Sequence, residues 1–89
     1  MGENEESLLE YPCDFPLAVI GMNSAEFPGF VMDIVRKHVP HLEEENYTLH
    51  PSRNENYISV RVNFIAESRE QLDDLYRELT RQDCILWVL

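Results

Sequence analysis

Glycine is scarce in this sequence, and with it the motifs that hold phosphate groups. Only three glycines occur among the 89 residues, whereas the phosphate loops of nucleotide-binding proteins need several at fixed spacing. The Gly-x-Ser-x-Gly pattern of many serine hydrolases is also absent. Serine, histidine and acidic residues share no positional signature of a catalytic set. We therefore expect no nucleotide site and no enzyme.

Cysteine is equally sparse. Cys13 and Cys84 are too few for a disulfide framework, and neither belongs to a Cys-x-x-Cys pair. His38 and His41 could be drawn as a metal pair, but Pro40 interrupts the helix between them and no further ligand is spaced to complete a tetrahedral set. An interaction of His38 with the C-terminal end of its helix is the better interpretation. We predict no metal and no cofactor.

Positive charge is the third shortage. The sequence has seven Lys and Arg against seventeen Asp and Glu, which gives a formal net charge of -10. Such a chain repels nucleic acid and anionic lipid unless its cations cluster. Only Arg36 and Lys37 are adjacent. No apolar run approaches a membrane-spanning length. Residues 1–7 contain three glutamates, whereas a signal peptide begins with basic residues. We expect a cytoplasmic protein that binds neither nucleic acid nor membrane.

What the sequence does contain is a strict alternation over residues 56–66. Apolar residues occupy every second position there, and all but one of the positions between them are polar or amphipathic, which is typical of a strand with one buried and one exposed face. The apolar set is Ile58, Val60, Val62, Phe64 and Ala66, and between its members lie Tyr57, Ser59, Arg61, Asn63 and Ile65.

The flanking segments predict five further elements. Residues 15–20 and 84–89 are predicted to be buried strands, and residues 47–53 a more polar strand at a sheet edge because of Pro51. Residues 24–38 and 68–81 have helical spacing, and Ser68 with Gln71 forms a capping box at the start of the second helix. The predicted buried stripes are Phe27, Phe30, Val31, Ile34, Val35 and His38 in the first helix, and Leu72, Leu75, Tyr76 and Leu79 in the second.

This order predicts an α+β protein with the ferredoxin-like βαββαβ topology. Right-handed crossovers give a four-stranded antiparallel sheet in the order 4-1-3-2, with both helices on one face. Residues 11–89 form a single domain in this interpretation, and residues 1–10 form an acidic, disordered tail. The first and last strands are then antiparallel neighbours. We expect Cys13 beside Val88 or Leu89 and Cys84 beside Ile20, so that no disulfide joins the two cysteines.

Two places are candidate sites. Main-chain N–H groups of the turn formed by Gly21, Met22, Asn23 and Ser24 could hold a small polar ligand at the helix start. Ser24 or Asn23 could instead cap the helix, and a cap at Ser24 is the commoner arrangement. The second candidate is the sheet face that the helices leave uncovered, because exposed apolar patches usually contact a partner. Its predicted residues are Ala18, Ile20, Tyr57, Ser59, Arg61 and Asn63, accompanied by apolar side chains of the last strand.

Several ordered segments carry a resemblance. They are Leu-Leu-Glu-Tyr-Pro-Cys-Asp-Phe near the start, Pro51-Ser52 followed by Asn56-Tyr57-Ile58-Ser59-Val60, and the closing Val88-Leu89. Over residues 8–89 the chain resembles the YbeD-like family of small bacterial proteins of unknown function, although it has Asn54-Glu55 where that family commonly has Lys-Gly. The resemblance implies the same fold, which is similar to ACT-type domains that bind amino acids at subunit interfaces. It also implies a connection with lipoate metabolism, and it implies no catalytic residues.

Together these observations predict a non-enzymatic regulatory or protein-interaction module of the bacterial cytoplasm. It would bind an unidentified protein partner or a second copy of itself through the uncovered sheet face. The alternative is an ACT-like sensor of an amino acid or a short-chain acid, with its ligand at Gly21 to Ser24.

Overall fold

The computed structural model describes residues 10–89. The predicted tail of residues 1–10 therefore lies outside the described residues, apart from Glu10. The described chain contains four strands, two α-helices and a short 3-10 helix at Glu44–Asn46. In chain order the main elements are β1 (Cys13–Met22), α1 (Phe27–His38), β2 (Tyr47–Pro51), β3 (Tyr57–Ala66), α2 (Arg69–Thr80) and β4 (Ile85–Val88).

The four strands form one antiparallel sheet in the order β2-β3-β1-β4, which confirms the predicted topology. β1 and β3 are central and pair over their full length, from Cys13 opposite Ala66 to Met22 opposite Tyr57. β2 and β4 are the edges. The edge position of β2 explains how Pro51 is accommodated, since its missing N–H lies on the outer side of the strand.

The core lies between one face of this sheet and the two helices. Burial alternates along β3, so that Ile58, Val60, Val62, Phe64 and Ala66 are buried. Helix α1 adds Phe27, Val31, Met32, Ile34 and Val35, and α2 adds Leu72, Leu75 and Leu79. The stripe of α1 differs from the prediction at Phe30, which is exposed, while the unpredicted Met32 is buried.

Helix α2 begins as its capping box predicts. The Ser68 hydroxyl accepts a hydrogen bond from the Gln71 N–H at 3.1 Å. In a capping box the Gln71 side chain would accept from the N–H of the N-cap residue Ser68. Here it accepts instead from the N–H of the preceding residue, Glu67, at 2.7 Å. The amide nitrogen of Gln71 also donates to the His38 carbonyl at 2.8 Å, so this side chain joins the start of α2 to the end of α1.

Helix α1 begins three residues later than predicted. Its N-cap is Glu26, which makes no side-chain capping bond, so the expectation that Ser24 or Asn23 caps this helix is wrong. The reason is that β1 continues to Met22 and remains paired with β3. Asn23 is then held to the β2–β3 hairpin by bonds from its N–H to Asn56 and from its side-chain amide to the Glu55 carbonyl, each 3.0 Å long.

The short β4 changes the predicted neighbourhood of the cysteines. β4 pairs only with the C-terminal part of β1, with Val88 opposite Val19, and its register shifts between Ile20 and Gly21. Cys13 therefore lies beyond the end of β4, opposite Ala66, and the expectation that it contacts Val88 or Leu89 is wrong. Cys84 precedes Ile85, which is opposite Gly21, so it lies near Ile20 as expected. Both cysteines are free.

Candidate functional site

The sheet face opposite the helices brings together all six residues predicted for an interaction surface. In the register of β1 and β3, Ala18 lies opposite Arg61 and Ile20 lies opposite Ser59. Directly opposed residues of an antiparallel pair project to the same side. We call this side the open face, and its residues are Asp14, Pro16, Ala18, Ile20 and Met22 of β1, Thr48 and His50 of β2, Tyr57, Ser59, Arg61, Asn63 and Ile65 of β3, and Trp87 and Leu89 in and after β4.

One end of the open face carries an aromatic cluster, which we define as Met22, Tyr57 and Trp87. The rings of Tyr57 and Trp87 meet edge to face, with centroids 6.4 Å apart. Ile20 lies beside this pair, because it is opposite Trp87 on one side and Ser59 on the other. Met22 and Trp87 are each more than half exposed. The cluster therefore offers apolar surface to a partner at one end of the sheet.

Sequence reasoning missed Trp87 as an individual site residue. The nearly continuous apolar run of residues 84–89 has no alternation from which its two faces could be assigned. The shift in register at Ile20 and Gly21 decides that Trp87 lies on the open face and Ile85 in the core. The signal that was available is the tryptophan itself, since the chain has only one and this residue type is enriched where proteins bind partners.

A groove of about 540 Å³ occupies the middle of the open face. Pro16, Ala18 and Leu89 give it apolar walls, and Arg61 lies exposed within it. Arg61 has no hydrogen bond or ion pair with any of residues 10–89. Thr48 and His50 form the opposite wall and are bonded to each other, with 2.9 Å between the Thr48 hydroxyl and His50 Nε2. This groove combines one cation that has no partner among residues 10–89 with an apolar wall on one side and a polar wall on the other, and Glu45 also lines it.

The predicted ligand turn does not form a free loop in the structure. Gly21 and Met22 belong to β1. The main-chain N–H of Asn23 is already bonded to Asn56, and Ser24 contributes its carbonyl to the Phe27 N–H at 3.3 Å. A role of Gly21, Met22, Asn23 and Ser24 in ligand binding remains a prediction, with fewer free donors than the sequence indicated.

A second groove, of about 680 Å³, lies at the opposite end of the sheet from that turn. Leu42, Phe64 and Ile65 supply apolar surface, and Asp14 and Glu67 supply carboxylates. His41 also lines it. His41 and His38 are therefore not a pair, because the His38 ring contacts α2 instead.

Helices α1 and α2 are joined by an ionic contact at Glu78. His38 Nε2 lies 2.8 Å from Glu78 Oε1, and the Lys37 ammonium contacts the other carboxylate oxygen. These hydrogen bonds, from Lys37 first and His38 second, lower the pKa of the Glu78 carboxyl. His38 thus has a side-chain partner on the neighbouring helix. Among residues 10–89, no group of three or more His, Cys, Asp and Glu is placed to hold a metal ion.

Neither helix of the described chain is long and apolar enough to cross a bilayer. In structure, the chain is similar to the solution structure of protein HP0495 from H. pylori, with a TM-score of 0.67 over 91% of this chain and 85% of that one. The two sequences are 15% identical, so the likeness concerns the fold.

In sequence, the chain is 41% identical over 87 residues to a UPF0250 protein of Neisseria meningitidis serogroup A, covering 98% of this chain and 96% of that relative. A UPF0250 protein of Paraburkholderia phytofirmans is 38% identical over 89 residues and is covered completely. The model of the family described as "Protein of unknown function (DUF493)" matches residues 6–89. The chain therefore belongs to the DUF493 family, whose curated relatives are named UPF0250 proteins.

Proposed function

We propose that this chain is a non-enzymatic protein-interaction module of the cytoplasm, and that the open face is its binding surface. The observation that carries this proposal is the contiguous exposed apolar surface formed by Met22, Tyr57, Trp87 and Leu89, of which Leu89 is 69% exposed. Leaving such side chains in water forgoes roughly 25 cal/mol for each Å² that a partner could cover. A sheet with helices on one side only supplies this surface as part of its architecture.

The acidic charge distribution supports the same proposal. Among the Asp and Glu of residues 10–89, only Asp14 projects from a strand onto the open face, and Glu45 lines the rim of its central groove. Charged residues are depleted at the centres of protein interfaces, while aromatic residues are enriched there. The open face carries the exposed aromatic residues Tyr57 and Trp87 and few charged ones, whereas the outer surfaces of the helices are rich in charge.

A photo-cross-linking amino acid in place of Ser59 tests this proposal in living cells. Ser59 is half-buried in the centre of the open face, so a bound partner would lie within reach of the probe. The matched control carries the same amino acid in place of Asp73, which is exposed on α2. We expect adducts of defined mass from position 59 only. Equal adducts from both positions, or none from position 59, would contradict an interaction role for this face.

The alternative function, a sensor of an amino acid or a short-chain acid, is the second candidate. No contact in the structure favours a ligand at Gly21 to Ser24. The Asn23 N–H and side-chain amide both serve the hairpin. A thermal-shift screen of amino acids and short-chain acids addresses it, since a ligand at a hundred times its dissociation constant stabilises the fold by about 2.7 kcal/mol.

A further inference from the structure

We propose that the open face binds an acidic protein segment, in which a carboxylate pairs with Arg61 and a neighbouring apolar side chain packs on the aromatic cluster. This inference rests on the proposed function and names the chemistry of the partner. The juxtaposition that carries it is the Arg61 guanidinium, which has no partner among residues 10–89, in a groove with one apolar wall, on the same face as the exposed aromatic cluster.

Arg61 is the only Lys or Arg in the four strands. Its immediate neighbours on the open face are uncharged: Ala18 and Thr48 lie directly opposite, and Ser59 and Asn63 lie two positions away along β3. Two acidic residues lie on this side of the sheet: Glu45 lines the rim of the groove, and Asp14 is opposite Ile65 toward the end of the sheet. Neither forms an ion pair with Arg61.

A guanidinium in this position selects a carboxylate for a physical reason. It presents several N–H donors in a fixed plane that matches both oxygens of a carboxylate, and covering it with an apolar partner would leave those donors without acceptors. An acidic side chain on the partner removes that penalty. The surrounding apolar walls of Pro16, Ala18 and Leu89 exclude water from the pair when the groove is filled.

The positions of Arg61 and the aromatic cluster fix the spacing between the carboxylate and the apolar side chain of the partner. Arg61 and Tyr57 are four positions apart on one strand, which corresponds to roughly 13 Å at about 3.3 Å per residue. Trp87 lies at the level of Ser59, two strands away from β3, which is a similar distance from Arg61. An extended segment therefore satisfies both features when its apolar and acidic side chains are about four residues apart.

A second copy of this chain fits the same surface poorly. If two open faces met with their centres superposed, two Arg61 side chains would approach each other near the symmetry axis, which is unfavourable for like charges out of water. Pairing Arg61 with Asp14 of the second copy would move the axis toward Asn63 and leave Tyr57 and Trp87 at the margin. A partner that brings its own carboxylate covers the groove and the aromatic cluster together.

Three labelled heptapeptides test the proposal by fluorescence polarisation with the full chain. Each has Phe at its second position and Ser or Thr elsewhere, and the sixth position is Glu, Gln or Lys. We expect the Glu peptide to bind roughly fivefold more tightly than the Gln peptide, which is the range of one partly exposed ion pair, and the Lys peptide to bind least.

Variants of the protein assign that preference to Arg61. Arg61→Gln should make the Glu and Gln peptides equal, and Arg61→Glu should reverse the order in favour of the Lys peptide. Arg53→Gln is the matched control, because Arg53 is also exposed but lies in the β2–β3 hairpin turn, outside the strands. A Glu preference that survives Arg61→Gln, or binding of none of the peptides at millimolar concentration, overturns the proposal.

Two further outcomes separate this inference from the proposed function. If the Glu and Gln peptides bind equally and Trp87→Ser abolishes both, the open face is a binding surface without selectivity for carboxylate, and only the inference fails. If sedimentation shows a dimer that Arg61→Gln strengthens, the occupant is a second copy of the chain, and the inference fails in favour of self-association.

Discussion

Glu55 has a backbone conformation that favours glycine. Its φ is 64°, in the left-handed region, which costs a residue with a side chain roughly 1–2 kcal/mol. It lies in the β2–β3 hairpin, and its N–H donates to the Ser52 carbonyl at 2.9 Å. The hairpin retains this conformation because the flanking strands and Asn23 hold both of its ends.

We predict that Glu55→Gly stabilises the protein. Relief of the left-handed conformation exceeds the added entropy of an unfolded glycine, and the net gain should be about 0.5–1 kcal/mol in the free energy of unfolding. Urea denaturation measures it. Glu55→Ala is the control, since alanine removes the carboxylate and keeps the strain. An equal gain from both variants would mean that charge and not backbone conformation sets the effect.

Gly21 is fixed by close packing. A Cβ atom there would lie 2.5 Å from the Cys84 carbonyl oxygen and would overlap the Phe27 ring. Gly21→Ala should therefore cost about 1–3 kcal/mol, as overpacking in cores does. Gly29, on the exposed side of α1, has no atom within 4 Å of such a Cβ, so Gly29→Ala should stabilise by up to about 1 kcal/mol. Chemical denaturation of both variants gives the comparison, and a Gly21→Ala variant as stable as the parent would refute the close approach.

At the scale of elements, the N-terminal capping of the two helices differs, although a serine precedes each helix by one to three residues. Ser68 caps α2 through the Gln71 N–H, whereas Ser24 makes no such bond. We predict that Ser68→Ala costs about 1 kcal/mol of stability and that Ser24→Ala changes it by less than about 0.5 kcal/mol. Thermal and urea unfolding of the two variants measure the difference. Equal losses would show that the Ser68 hydroxyl does not act as a cap.

The contact between the ends of α1 and α2 makes stability depend on pH. Hydrogen bonds from Lys37 and His38 lower the pKa of the Glu78 carboxyl below its ordinary value of 4.5. The unfolded chain therefore takes up this proton at a higher pH than the folded chain. The contribution of the contact is complete above about pH 4.5 and is lost as the pH falls through the lowered pKa.

We predict that Glu78→Gln lowers the free energy of unfolding at pH 6, by on the order of 1 kcal/mol or less because the contact is partly exposed. The difference from the parent protein should shrink toward pH 3. Asp33→Asn is the control, because the exposed Asp33 has no hydrogen bond or ion pair with residues 10–89. Its effect on the free energy of unfolding should be similar near pH 6 and near pH 3. A Glu78→Gln difference that does not vary with pH would exclude the ionic contact.

Elements of this chain are predictable from sequence where the pattern is local and strict. The alternation of β3 and the capping box of α2 gave their bounds to within a residue, because periodicity and capping act over a few neighbouring positions. The start of α1 was not predictable in this way. It depends on hydrogen bonds between Asn23 and a hairpin that begins nearly thirty residues later, and no local pattern records such a contact.

At the scale of the whole molecule, the sheet keeps the two cysteines apart. Cys13 is near the start of β1, and Cys84 is near its other end, beside Gly21. Eight residues of strand separate Cys13 from Gly21, roughly 26 Å, whereas a disulfide needs Cα atoms within about 7 Å.

We therefore predict that unfolding is unaffected by reductant and that non-reducing mass spectrometry finds no peptide linking the two cysteines. Alkylation of the folded protein should modify the exposed Cys84 faster than the half-buried Cys13. Cys13→Ser and Cys84→Ser variants assign the two rates. A linked peptide from the monomer would contradict the strand order itself.

The topology and the composition of the open face were predictable from the sequence, because the order of the elements allows few arrangements of the strands in a sheet. The six predicted face residues do lie on one side of it. The position of Trp87 was not within reach, since it depends on where β4 ends along β1. A run of consecutive apolar residues carries no information about that register.

Among residues 10–89, the shortness of β4 leaves the first half of β1 without a neighbour on that side. In the same part of the chain the outer side of β2 is a second unpaired margin, and the outer side of β4 is unpaired as well. Unpaired strands of this kind can template the stacking of further chains into aggregates. Asp14 and Pro16 point their main-chain groups to the first margin, and Pro51 does so at the second. One charge and two missing N–H groups thus oppose strand addition at the margins of β1 and β2.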